Sequence, residues 1–180
     1  MGQPIELVAA DRYLAIAPAL FDRIERGVEL GYSGDDMARG RKLKADSADA
    51  PALLDIASAI DRVKGAGRVA IVGYCWGGLL SWLAAGTLEG LSASVPYYGG
   101  GMPERRNVTP RCPVLAHFGE NDAHIPLAGV AALQAAHPGV TVQLYPAGHG
   151  FNCDQRSAFD APSATLARAR TLAFLRQHIG

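Results

Sequence analysis

The chain has few cysteines and no excess of either charge. Its 180 residues include three cysteines, and 17 basic side chains balance 17 acidic ones. Three thiols cannot all pair and none forms a C-x-x-C motif, so neither a disulfide framework nor a zinc site is predicted. A neutral chain without a long block of one charge is a poor partner for nucleic acid or for an anionic membrane surface.

Long hydrophobic runs are also missing. Hydrophobic residues make up 49% of the chain, but no run reaches the length of about 18 that a membrane-spanning helix needs. Glu6, Asp11 and Arg12 interrupt the place of a signal-peptide core, and Glu6 stands where a myristoylation motif has Ser or Thr. We therefore expect a cytoplasmic protein that neither spans a membrane nor is anchored to one.

What the chain does contain is an alternation of short apolar runs with helical patterns. Strands are predicted at 12–18, 68–74, 92–99, 113–119 and 141–148, and helices at 52–64, 76–89, 126–137 and 162–178. This alternation predicts an α/β fold, in which a mostly parallel sheet carries helices on both faces. The length suits one domain over residues 1–180.

One cysteine lies where a predicted strand turns into a predicted helix. Gly73, Cys75 and Gly77 have the G-x-nucleophile-x-G spacing of a nucleophile elbow. The two glycines are expected to prevent collisions at a strained turn, and Gly78 to let the helix approach the sheet. A helix beginning at Trp76 would lower the pKa of the thiol. A buried structural cysteine is the alternative, but this context favours a nucleophile.

A cysteine nucleophile needs a base, normally histidine. His149 lies between two glycines just after a predicted strand, at the edge of the sheet where ligands bind, and is the preferred base. His124 is the rival. His117 lies inside an apolar run and is expected to be a hydrogen-bonded core histidine.

The base needs a carboxylate to orient it. Asp122 follows the predicted strand at 113–119 and is preferred, while Glu120 in the same loop remains the alternative. The order Cys75, Asp122, His149 leaves room for a βα unit in each gap.

With these motifs the chain resembles the dienelactone hydrolases of the α/β-hydrolase superfamily. VGYCWGG, YYGGG, HFGENDAHIP and YPAGHGF are similar to the family's elbow, next strand, acid loop and histidine loop, in the same order. The likeness runs from about Arg12 to Gly180. It implies an α/β-hydrolase fold and a triad of Cys75, Asp122 and His149, which hydrolyses carboxylic esters or lactones through a thioester without metal or cofactor.

The resemblance also implies that the N-terminal strands are shortened. Family members have several more strands before their counterpart of YLAIAPALFDR, and the loop after a central one supplies an oxyanion N–H. Here only MGQPIELVAAD precedes Arg12, and PIELVAA is expected to be the family's first strand. The backbone N–H of Trp76 is then the one oxyanion donor that the sequence identifies.

Substrate recognition is expected to differ from the family's. Its members bind a substrate carboxylate with arginines, one of them shortly after the catalytic histidine. Here the fourth residue after His149 is Cys153, and the nearest arginine is Arg156. Arg39 and Arg41 are candidates for another, although their segment is also typical of a solvated helix face. The expected partner is therefore a small ester or lactone of broader type, bound by a monomer or homodimer.

Aromatic residues near the strand ends are candidates for an apolar pocket, above all Tyr97 and Phe151, with Trp76 and Tyr98 beside them.

A glutamine amidotransferase shares the elbow, but its acid normally follows the histidine by two residues, where this chain has Phe151. The alternative from another class is a catalytically impaired or inactive remnant that serves as a binding or interaction domain, a hypothesis motivated by the short N-terminus.

Overall fold

The computed structural model describes residues 13–180. The chain divides into two compact units, Met1–Gly67 and Arg68–Gly180. The expectation of one domain over residues 1–180 stays a prediction.

Two helices dominate the described part of the first unit: α1 (Gly34–Asp46) and α2 (Asp49–Val63). Ser33 caps α1, because its hydroxyl accepts a hydrogen bond from the Asp36 N–H at 3.2 Å. Most of α1 is exposed, including Arg39 and Arg41, as expected for a solvated helix face. In α2 the buried residues Ala52, Ile56 and Ile60 recur at helical spacing and form one apolar face.

The strand predicted at 12–18 is not present in residues 13–18, which are irregular. An apolar run becomes a strand only when another strand lies beside it to exchange hydrogen bonds. All strand pairing in the described part of the chain lies between residues 69 and 145. The strand expected at PIELVAA lies outside the described residues.

The second unit contains the α/β architecture. Its strands are β1 (Val69–Tyr74), β2 (Leu91–Tyr97), β3 (Leu115–Gly119) and β4 (Thr141–Tyr145). Its helices are α3 (Trp76–Thr87), α4 (Leu127–Ala136) and α5 (Ala161–Ile179). The four strands pair in parallel in the order β1-β2-β3-β4, and α3 and α5 pack against the sheet. The predicted α/β class is confirmed.

A polar network lies inside the core of this unit. His117 is 0% exposed, its Nδ1 lies 2.8 Å from the Tyr145 hydroxyl, and its Nε2 lies 3.0 Å from Thr171 Oγ1. The Tyr97 hydroxyl lies 2.6 Å from the same Thr171 oxygen. Burial lowers the pKa of His117 to about 3, so the ring is neutral at pH 7. His117 is therefore the core histidine that the sequence predicted.

None of the helices in residues 13–180 combines length and apolar character to the degree that crossing a membrane requires.

Candidate active site

The elbow cysteine sits between β1 and α3 at the carboxyl edge of the sheet. Its backbone has φ 54° and ψ −114°, a left-handed conformation that is strained for a residue other than glycine. Two hydrogen bonds hold it there: the Cys75 N–H donates to the Tyr97 carbonyl at 3.0 Å, and the Leu79 N–H donates to the Cys75 carbonyl at 3.1 Å. Cys75 is exposed as a residue, while its sulfur lies against His149 and is partly shielded from water.

The glycines around the elbow are not equivalent. A Cβ on Gly73 would lie 1.9 Å from the Gly77 carbonyl oxygen, and one on Gly78 would lie 2.6 Å from the Tyr97 carbonyl oxygen. A Cβ on Gly77 would meet nothing within 4 Å. The expectation that a side chain at Gly77 would collide with its surroundings is therefore wrong, because a Cβ there would point into open space. Close packing requires Gly73 and Gly78 to be glycine.

The structure brings Cys75, His149 and Asp122 together. His149 Nε2 lies 3.2 Å from Cys75 Sγ, and His149 Nδ1 lies 2.8 Å from Asp122 Oδ2. The imidazole thus bridges thiol and carboxylate through its two nitrogens. The Asp122 side chain is 0% exposed, and its other oxygen accepts the His124 N–H at 2.8 Å. Such a hydrogen-bonded carboxylate can fix the tautomer and orientation of a histidine base.

The side chains of both rival residues lie outside this chain of hydrogen bonds. Glu120 is exposed, and its backbone N–H donates to the Tyr145 carbonyl at 2.7 Å. The exposed His124 ring packs edge-on against His149, with 5.2 Å between ring centroids. Its backbone, rather than its ring, contacts Asp122.

The pKa values of the thiol and the imidazole are shifted in opposite directions. Loss of water around the sulfur would raise the pKa of Cys75, but the hydrogen bond and charge of His149, the Trp76 N–H and the charge of Arg156 together lower it below its ordinary value. Burial would lower the pKa of His149, but its hydrogen bonds to Cys75 and Asp122 and their charges raise it above its ordinary value. Both shifts favour a thiolate beside an imidazolium.

Trp76 begins α3, and its backbone N–H hydrogen-bonds to the sulfur of Cys75. The donor that the sequence assigns to an oxyanion therefore contacts the thiol in this state. A helix N-terminus leaves such N–H groups free for an anion, so the contact suits a thiolate.

The two aromatic residues predicted to line a substrate pocket are buried instead. Tyr97 is 2% exposed and Phe151 is 0% exposed. Tyr97 uses its hydroxyl in the core network, and Phe151 packs against Tyr145 with 5.0 Å between ring centroids. Neither side chain presents surface to a ligand in this structure, and their role in substrate binding stays a prediction.

Two residues that act on the candidate site, Tyr98 and Arg156, are not among its predicted catalytic residues. The Tyr98 ring packs against the His149 ring at 5.2 Å, and the charge of Arg156 acts on Cys75. For Arg156 the available signal was its place in the loop after His149. For Tyr98 it was the position directly after an apolar strand, at the same sheet edge as the elbow.

Within the described part of the chain, no three His, Cys, Asp or Glu side chains come together as a metal-binding group. Of the other thiols, Cys112 is half-buried, and burial raises its pKa. Cys153 is also half-buried.

The chain is similar to known proteins of one family. The model of the dienelactone hydrolase family matches residues 5–179. A Synechocystis protein provisionally named a carboxymethylenebutenolidase is 34% identical, over 90% of this chain and 74% of the relative. An Escherichia coli protein with the same provisional name is 32% identical, over 96% and 70%. The crystal structure of a provisional dienelactone hydrolase from Klebsiella pneumoniae has a TM-score of 0.81 at 30% identity, over 95% of this chain and 78% of that one.

Proposed function

Because the chain belongs to the dienelactone hydrolase family, we propose that it hydrolyses carboxylic esters or lactones with Cys75 as nucleophile, His149 as base and Asp122 as the orienting acid. One observation carries the assignment of roles: the His149 ring lies within hydrogen-bond distance of both Cys75 Sγ, at 3.2 Å, and Asp122 Oδ2, at 2.8 Å. The substrate is a small molecule. A cytoplasmic location and a monomeric or homodimeric state stay predictions.

In the acylation step the Cys75 thiolate attacks the ester carbonyl carbon, and the carbonyl π electrons move onto oxygen. At rest the Trp76 N–H donates to the sulfur. Because the sulfur loses its negative charge when it bonds to the carbonyl carbon, this N–H can then donate to the oxyanion instead. The tetrahedral intermediate collapses to a thioester, and the His149 imidazolium protonates the departing alkoxide. Asp122 stabilises the imidazolium until it gives up this proton.

In the deacylation step neutral His149 takes a proton from a water molecule, which attacks the thioester carbonyl. The second intermediate collapses to the carboxylic acid and returns the electron pair to the sulfur. The site is again a thiolate beside an imidazolium, so water is the one additional reactant.

The alternative of an inactive binding domain has less support. The relatives described above all carry the names of enzymes. The segment that motivated the alternative lies before residue 13, outside the described residues.

The test measures hydrolysis of a small activated aryl ester in the presence and absence of a thiol alkylator. The alkylated cysteine is then identified by mapping. Cys75→Ala should abolish turnover, because it removes the nucleophile. Cys112→Ser is the matched control, since this half-buried thiol has its pKa raised by burial, and its turnover should equal that of the unsubstituted chain. An unchanged rate in Cys75→Ala would overturn the proposal.

A further inference from the structure

Tyr98 combines a strained backbone with a buried side chain. It directly follows β2 and has φ 36°, in the left-handed region that bulky residues rarely adopt. Its N–H donates to the His117 carbonyl at 2.7 Å, and the residue is 3% exposed. Strain of this kind persists when surrounding contacts fix the conformation, and it is concentrated at functional sites.

The contact that this backbone creates is with the histidine of the triad. The Tyr98 and His149 ring centroids lie 5.2 Å apart, with the ring planes at 61°. On another side the Tyr98 ring packs edge-on against Phe151 at 5.4 Å. Aromatic rings prefer such tilted arrangements, so Tyr98 connects the imidazole to the buried core.

His149 needs support of this kind. It lies between Gly148 and Gly150, and Gly150 has φ 82°, so neither neighbour offers a side chain to hold the ring. Hydrogen bonds at Nδ1 and Nε2 direct the two nitrogens toward their partners, but hydrogen bonds tolerate departures from ideal angles, so they restrict the tilt of the ring less than packing against the ring does. The other ring beside it, His124, is exposed. A buried ring against the imidazole restricts the tilt.

We propose that Tyr98 is a positioning residue of the triad, whose buried ring keeps the His149 imidazole aligned between Cys75 Sγ and Asp122 Oδ2. The inference rests on the proposed function, because it assigns His149 the role of base. The ring, and not the hydroxyl, carries this role. Burial raises the pKa of the Tyr98 phenol, so it stays neutral across the pH range in which the triad works.

The test compares three variants in the 180-residue chain. Tyr98→Phe keeps the ring, and Tyr98→Gly removes it while suiting the left-handed backbone. Trp82→Leu is the matched control, since it removes a buried ring that packs edge-on against a different histidine, His137, at 5.3 Å. For each variant we would measure kcat and KM on an aryl ester, and the rate at which iodoacetamide labels Cys75 as a function of pH.

We expect Tyr98→Phe to match the unsubstituted chain in both measurements. Tyr98→Gly should lower kcat by roughly 10- to 100-fold, the effect of misplacing a reacting group by up to about 1 Å, with a much smaller change in KM. Its labelling of Cys75 should shift to higher pH, because the aligned imidazolium no longer favours the thiolate. Trp82→Leu should lower the Tm and leave the labelling profile in place.

Two results would overturn the proposal: a Tyr98→Gly protein with an unchanged profile and kcat, or a Tyr98→Phe protein as impaired as Tyr98→Gly. If Tyr98→Gly does not fold, as judged by circular dichroism, Tyr98→Leu provides the same comparison. The labelling profile does not depend on turnover. A chain that hydrolyses no ester but shows the expected shift would refute the proposed function and still support the positioning role.

Discussion

At the scale of single residues, the candidate site depends on how two ionisable groups stabilise each other's charged form. The pKa of Cys75 is lowered and that of His149 is raised, and each group contributes to the shift of the other. The two therefore titrate as a pair, and the apparent pKa values belong to the pair rather than to either residue.

The pair predicts a bell-shaped pH dependence for kcat/KM. On the acid side the rate should rise with pH as the pair loses its first proton and the thiolate forms, below the ordinary pKa range of a thiol. On the basic side it should fall as the imidazolium that protonates the leaving group loses its proton, above the ordinary histidine range. Measuring kcat/KM between pH 4 and 11 for an alkyl ester, whose alkoxide must be protonated as it leaves, checks this. A profile that rises only near the ordinary pKa of cysteine would contradict it.

The carboxylate that supports the imidazolium can be identified by substitution. Asp122→Asn removes the charge at the atom 2.8 Å from His149 Nδ1. We expect it to lower kcat by roughly 100-fold or more, because catalysis by a positioned acid or base contributes about 10²- to 10⁴-fold. Glu120→Gln is the matched control in the same loop, and this exposed residue should be replaceable without loss. Equal losses in the two variants would mean that the acid is not specifically Asp122.

At the scale of structural elements, the elbow depends on the close approach of α3 to the end of β2. The Cβ direction of Gly78 leads to the Tyr97 carbonyl, while that of Gly77 leads to open space, although both glycines lie in the first turn of the helix. The Tyr97 carbonyl at the end of β2 accepts the Cys75 N–H, and Tyr98 follows directly after it. Separating α3 from β2 would therefore disturb both the nucleophile and the ring beside His149.

This difference predicts opposite effects for two alanine substitutions. Gly78→Ala should lower the free energy of unfolding by about 1–3 kcal/mol, the usual cost of overpacking, because its Cβ would lie 2.6 Å from the Tyr97 oxygen and 2.9 Å from Gly99 Cα. Gly77→Ala should be neutral or raise that free energy by up to about 1 kcal/mol, since alanine restricts the unfolded chain and favours the helix. Urea unfolding of both variants measures the difference. Similar destabilisation by both would show that the packing at the elbow is not as described.

The strands and helices of the second unit, and the meeting of the three candidate site residues at one sheet edge, could be predicted from sequence for one reason. Apolar runs bounded by glycine and polar residues predict buried parallel strands, and the residues after them meet at one sheet edge, which brought Cys75, Asp122 and His149 together. The strand predicted from the apolar run at residues 13–18 is not present, because a strand needs a neighbouring strand and the run itself does not specify one. Tyr97 and Tyr98 could not be ranked, since which of two adjacent rings is buried in the core network depends on the backbone path after β2.

At the scale of the whole second unit, the buried polar network joins three strands and one helix. Tyr97 comes from β2, His117 from β3, Tyr145 from β4 and Thr171 from α5. Each polar group finds its partner inside the network, which limits the cost of burying it. Because the Tyr97 carbonyl also binds the elbow, the network connects the stability of the core to the geometry of the candidate site.

This network predicts how stability depends on pH. The pKa of His117 is about 3 in the folded chain and about 6.5 in an unfolded one. Between these values the unfolded state binds a proton that the folded state does not, so the free energy of unfolding should fall as pH decreases. The contribution is full above about pH 6.5 and is lost at about 1.4 kcal/mol per pH unit as pH falls toward about 3.

Urea unfolding between pH 7 and pH 4 measures that slope, and two histidine substitutions isolate its origin. His117→Gln should be less stable at pH 7, because glutamine cannot reproduce both hydrogen bonds of the ring, and should show a shallower decline on acidification since it has no proton to gain. His178→Gln, in the last turn of α5, leaves the network intact and should keep the steep decline. The substitution at His117 must flatten the slope if the buried ring causes it. An unaltered slope would assign the acid sensitivity to other groups, because a side chain that cannot titrate contributes no difference in proton binding between the two states.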